Sequence, residues 1–193
     1  MHEYFIAKSR ELTEGIDPIA NSDGQSIRET KESPGKQFSE GETFYCDDDE
    51  SITKIKGCPD TVKDFIGDRS ALVSLEGAPS KVSRHFNVSS NNITSLDGLP
   101  SFIGGDLNMG GNNLRSLKGI HKLVKHVGGV AYFQGNPIKS HVLGLLVIDG
   151  LKRVMLANDK VSAIINKHLK GDRDVNACQE ELIEAGFEDF AQL

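Results

Sequence analysis

Twenty-one residues separate two nearly identical segments of this chain. "HFNVSSNNITSLDGLP" covers 85–100 and "DLNMGGNNLRSLKGIH" covers 106–121. The alternating apolar pair inside them marks six copies: Phe44-x-Cys46, Phe65-x-Gly67, Phe86-x-Val88, Leu107-x-Met109, Ala131-x-Phe133 and Val154-x-Leu156. Successive anchors lie 21, 21, 21, 24 and 23 residues apart. A fixed period of this size is the signature of a stacked repeat, because one such unit cannot bury its own apolar face.

Each column of the repeat has a physical reading. Alternating apolar residues with one face buried predict a short strand, at 44–46, 65–67, 86–88, 107–109, 131–133 and 154–156. Three residues after the pair stands Asn91, Asn112 or Asn136. A short amide there can bond the backbone groups that a buried bend would leave unpaired. Ser-Leu-x-Gly follows at Ser74–Gly77, Ser95–Gly98 and Ser116–Gly119, then Pro59, Pro79 or Pro100, then a β-branched residue at Val62, Val82, Ile103 or Val127. The Gly and Pro turn the chain back along the far side. Departures are visible. The first copy puts acids where Asn belongs and reads as a frayed cap, the second has Ser70 in that column, and the longer fourth copy, "IHKLVKHVGG", predicts a convex bulge.

"LNMGGNNL" (107–114), "FNVSSNNI" (86–93) and "AYFQGNPI" (131–138) resemble the leucine-rich repeat, L-x-L-x-x-N-x-L. The short variable half, "TSLDGLPSFIGG", is similar to the compact bacterial type. Its S-L-x-G-x-P and V-G-G elements look like those of uncharacterised leucine-rich repeat proteins of tailed bacteriophages. The resemblance covers about 42–157. It implies an α/β leucine-rich repeat solenoid of short parallel strands, a concave binding sheet and a helical cap after the repeats.

Three segments follow. Residues 1–41 have the composition of an N-terminal arm, partly disordered, with a short helix at its front. Residues 42–157 are the repeats, with an extra helical turn expected in "IKSHVLGLLVIDG". Residues 158–193 form a helical cap: Val161, Ile164, Ile165 and Leu169 recur at helical spacing behind Asn158 or Asp159, and Val175, Cys178, Leu182 and Ile183 repeat the pattern up to Gly186. Helices near 159–169 and 174–185 would cover the last open core.

Charge is segregated. Residues 1–50 carry 13 acids and 5 bases, residues 110–173 carry 3 and 11, and residues 174–193 carry 6 acids and no base. No apolar run approaches a membrane span, the N-terminus lacks the pattern of a secretory signal, and Cys46, Cys58 and Cys178 lack paired metal spacing. These features predict a cytoplasmic protein with reduced thiols and without cofactor or metal.

The candidate site is the concave sheet. Positions expected to point away from the core include Tyr45, Asp64, His85, Asn87, Asp106, Asn108, Tyr132 and Gln134, with a strip centred on Asn87, Asn108 and Tyr132. Tyrosine is favoured among residues that dominate binding. The expected partner is another protein, a host bacterial factor if the phage resemblance holds. No catalytic motif occurs, so no enzyme is expected. A nucleic-acid reading rests on Lys118, Lys122, Lys125, Lys139, Lys152, Arg153, Lys160, Lys167 and Lys170, but these fall in different phases and lack a stacking aromatic set. "CDDDE" (46–50) lacks the spaced acids and glycine of a calcium loop. Cys58-Pro59-Asp60 matches the Cys-x-Asp site of ubiquitin-ligase repeat effectors, but it sits in a packing column shared with Ala78 and Leu99.

Overall fold

The structure, a computed structural model, describes residues 41–193. The expected arm and its front helix fall outside these residues, Gly41 apart.

The described chain is a parallel β-solenoid with helices at its C-terminal end. Ten short strands fall into two sheets: β1 (Phe44–Tyr45), β2 (Thr61–Val62), β3 (Phe65–Ile66), β4 (Lys81–Val82), β5 (Phe86–Asn87), β6 (Phe102–Ile103), β7 (Leu107–Asn108), β8 (His126–Val127), β9 (Val130–Tyr132) and β10 (Arg153–Met155). One sheet runs β1-β3-β5-β7-β9-β10 and the other β2-β4-β6-β8, with every pair parallel. Register follows the repeat: Phe44 pairs with Phe65, Phe65 with Phe86, Phe86 with Leu107, Leu107 with Ala131 and Ala131 with Val154. The six expected strands are present, slightly shorter or shifted by one residue.

The second sheet was not expected. Its strands hold the β-branched column, with Val62, Val82, Ile103 and Val127 in register and buried. They were hidden because each copy adds only one β-branched residue there, and a single column shows no alternating pair. The fourth copy absorbs its extra residues as one helical turn, α1 (Ile120–Leu123).

The core lies between the sheets. The rings of Phe44, Phe65 and Phe86 stack at 5.4 and 4.9 Å, an arrangement that adds about 0.5–1.5 kcal/mol per pair beyond area burial. Smaller Leu107, Ala131 and Val154 continue the column. Val-Gly-Gly is also explained. A Cβ on Gly104 would come within 2.1 Å of Ser83 O, and one on Gly128 within 2.1 Å of Gly104 O. The chain passes too close to its neighbour there for any side chain.

Asparagines hold the bends. The Asn112 Nδ2 donates to Val88 O at 2.9 Å and Met109 O at 3.1 Å, while its Oδ1 accepts from Ile93 N at 3.0 Å. Asn91 and Asn136 repeat this pattern. Each amide bridges its own turn and the preceding one, as expected for a buried ladder. Ser70 supplies a single rung, donating to Cys46 O at 2.8 Å. In the first copy β1 forms the sheet edge, pairs in register with β3 and buries Phe44.

After each of β1, β3, β5, β7 and β9 one residue adopts the left-handed region: Asp48, Arg69, Ser90, Gly111 and Gly135, with φ between 52° and 74°. Only the last two are glycines, so the first three turns hold side chains in a conformation that disfavours them.

The cap agrees with expectation. A 3-10 helix spans Leu143–Val147, followed by α2 (Asp159–Lys170) and α3 (Val175–Glu184). Asn158 and Asp174 are the N-caps, each accepting two main-chain N–H groups. Arg173 pins the hairpin to the repeats, donating to Ile148 O at 2.7 Å and Leu151 O at 2.6 Å.

Candidate functional site

The outer face of the six-stranded sheet is where the candidate residues lie. Register aligns Tyr45, Ile66, Asn87, Asn108, Tyr132 and Met155 in one column. Asn87, Asn108 and Tyr132 are therefore neighbours, as the repeat predicts. They do not form an exposed strip. Asn87 is 4% and Asn108 6% exposed, and Asp64, at 3%, is buried as well.

The reason is that short polar side chains here lie down to bond the backbone. The Asn87 Oδ1 accepts from the main-chain N–H and hydroxyl of Ser89, and its Nδ2 donates to Asp68 Oδ1 at 3.0 Å. Asn108 Oδ1 accepts from Gly110 N at 3.0 Å. A second ladder runs beside this one. Asp64 Oδ1 accepts from His85 N, His85 Nδ1 from Asp106 N, and Asp106 Oδ1 from Val130 N at 2.8 Å. The middle of the face is satisfied within the protein, and His85 and Asp106 are half-buried parts of that ladder.

What remains available lies at the two ends. Tyr45 is 36% exposed, and burial, then the nearby Asp64 and Asp47, push its hydroxyl pKa up. Beside it, Arg69 makes a bidentate pair with Asp48 at 2.6 and 3.0 Å. At the other end, Tyr132, Gln134 and Met155 are half-buried and Arg153 is exposed. Met155 pairs with Tyr132 and Arg153 with Val130, so these side chains form one patch on two adjacent strands.

An open groove of about 650 Å³ lies at the junction of repeats and cap, and Ala157, just beyond β10, is among the residues lining it. Phe187 and Phe190, which line the groove, were placed in no site by the repeat argument. The signal was the i, i+3 aromatic pair in "GFEDF".

The opposite sheet carries a different feature. Phe102 stacks on His126 with centroids 4.7 Å apart and planes 8° apart, Lys81 Nζ lies 5.4 Å over the Phe102 ring, and His126 Nδ1 meets Asp149 Oδ2 at 2.8 Å. Register sets Phe102 between Lys81 and His126.

Other candidates have their chemistry in view. Cys58 packs against the core, and burial followed by the charge of Asp60 pushes its thiol up to about 12, which opposes thiolate formation. All three cysteines are free thiols. Among the described residues no group of His, Cys, Asp and Glu could hold a metal ion, and no helix is long and apolar enough to cross a membrane. No family model matches the sequence, and no curated protein or solved structure is significantly similar to it.

Proposed function

We propose that this chain is a non-catalytic leucine-rich repeat module that binds another protein through the C-terminal half of its six-stranded sheet. The observation that carries the reading is the contrast along one column. Asn87 and Asn108 are buried and spent on the backbone, whereas Tyr132 and Met155 keep part of their surface in solvent beside Gln134 and Arg153. An amphipathic ring, a thioether and an Arg on adjacent strands have the composition of a binding anchor. The resemblance to tailed-phage repeat proteins favours a host bacterial protein in the cytoplasm as the partner.

The bases do not favour nucleic acid. Main-chain pairing places Lys63, Arg84, Gly105, Gly129 and Lys152 in one column and Ser80, Ser101 and Lys125 in another. No column is basic throughout.

The test is to isolate a partner from bacterial lysate by pull-down, then titrate variants against it. Tyr132→Ala should weaken binding by ~2 kcal/mol or more with the fold intact. Lys122→Ala, on the α1 turn, should do little. The reverse pattern would move the site to the opposite surface.

A further inference from the structure

The floor of the groove is apolar, built from Pro137, Ile138, Ala157, Phe187 and Phe190. The two Phe rings meet edge to face, 6.1 Å apart at 84°, and both are half-buried. Lys139 and Lys160 stand among the lining residues. The Lys139 main-chain N–H donates to Arg115 O, so Arg115 occupies the same column one repeat earlier. Earlier repeats have Val73 and Thr94 in that column, which turns cationic at Arg115, one repeat before the groove-lining Lys139.

Arg115, Lys139 and Lys160 are all exposed and, among the described residues, make no ion pair. Arg69, Arg84 and Lys167, by contrast, each face a carboxylate. The lining contains one acid, Asp159, which sits in the first turn of α2 where the helix dipole favours it. An apolar floor lined by Lys139 and Lys160, with Arg115 one repeat away from Lys139, is complementary to a ligand that is apolar and anionic together.

We infer that this groove takes an acidic peptide segment carrying one aromatic side chain. The ring lies on the Phe187–Phe190 floor and flanking carboxylates face Arg115, Lys139 and Lys160. This rests on the protein-binding reading above: Ala157, which lines the groove, follows Met155 of the Tyr132 patch by two residues, so one partner can cover both. A nucleic-acid strand fits less well: the Phe187 and Phe190 rings pack edge to face rather than presenting an open stacking platform, and three cations would neutralise few phosphates.

The experiment is an amide NMR titration of the full chain with three probes: the hexapeptide EEDFEE with blocked ends, its serine counterpart EEDSEE, and a short oligothymidylate. EEDFEE should shift the amides of Lys139, Ala157, Lys160 and Phe190. EEDSEE should bind about tenfold more weakly or worse. The double variant Lys139→Glu/Lys160→Glu, both exposed positions, should lose the EEDFEE shifts and keep the rest of the spectrum. Equal binding of the two peptides, shifts caused only by oligothymidylate, or no groove shift at millimolar peptide would each overturn the inference. The two readings fail separately. A captured partner that is lost on Tyr132→Ala but indifferent to Lys139→Glu/Lys160→Glu removes the groove alone, and the opposite pattern removes the sheet face alone.

Discussion

Asn166 lies against Val154 as a seventh strand would. Its Oδ1 accepts the Val154 N–H at 2.7 Å and its Nδ2 donates to Val154 O at 2.8 Å. Ser162 Oγ accepts the next outward N–H, that of Leu156, at 2.9 Å. Two side chains of α2 thereby close the sheet edge, which otherwise offers unpaired groups to other strands. Asn166→Ala should cost on the order of 2–3 kcal/mol, because it leaves a donor and an acceptor unmet under a helix. Thermal unfolding and size-exclusion chromatography of the variant check this. An unchanged Tm would mean water replaces the amide freely.

The ladder inside the turns makes a similar claim at Asn112, which is 4% exposed and bonded on both sides. Asn112→Ala should lower stability by about 1–3 kcal/mol. Asn112→Asp should be no milder, since a carboxylate cannot donate to the carbonyls of Val88 and Met109. Denaturant unfolding of both variants decides the matter. A neutral Asp substitution would show that the donor half of the rung is dispensable.

Gly129 tests how tightly the chain crosses between the sheets. A Cβ there would meet Asp106 Oδ1 at 2.1 Å and Gly105 backbone at 3.1 Å. Gly129→Ala should also break the Asp106 bond to Val130 N, and should cost about 1–3 kcal/mol by overpacking. A Tm equal to that of the parent chain would contradict the close approach.

Asp68 predicts a pH dependence. Burial pushes its carboxyl from 3.8 up to about 6, against the pull of Arg69, with Asp47 adding to the rise. An acid with a raised folded pKa binds its proton more tightly folded than unfolded, so its contribution falls as pH rises from its ordinary value towards 6 and is lost above that. Asp68→Asn keeps an oxygen for Asn87 Nδ2 and removes the buried charge. Its stability relative to the parent chain should therefore climb between pH 3.8 and about 6 and then level off. Urea midpoints across that range give the curve, and a difference that falls with pH would contradict it.

Much of this was legible in the residues. A 21-residue period names the rungs, and the Asn column names their hydrogen bonds, because few side chains other than Asn can give and take at a tight bend. The second sheet was not legible, since Val62 and its counterparts are single β-branched residues with no alternating apolar partner. Neither was the burial of Asn87 and Asn108. Strand alternation places them on the outer face, and it is their short amides, turning back to Ser89 and Gly110, that withdraw them from solvent. Phe187 and Phe190 escaped because a groove between two elements belongs to the periodicity of neither.

The binding face itself is tested most directly by hydrogen exchange on the chain with and without its captured partner. The account predicts protection of amides at 130–134 and 153–157, with those at 61–62, 81–82, 102–103 and 126–127 unchanged. Protection confined to the latter four strands, with none around Tyr132 and Met155, would contradict it.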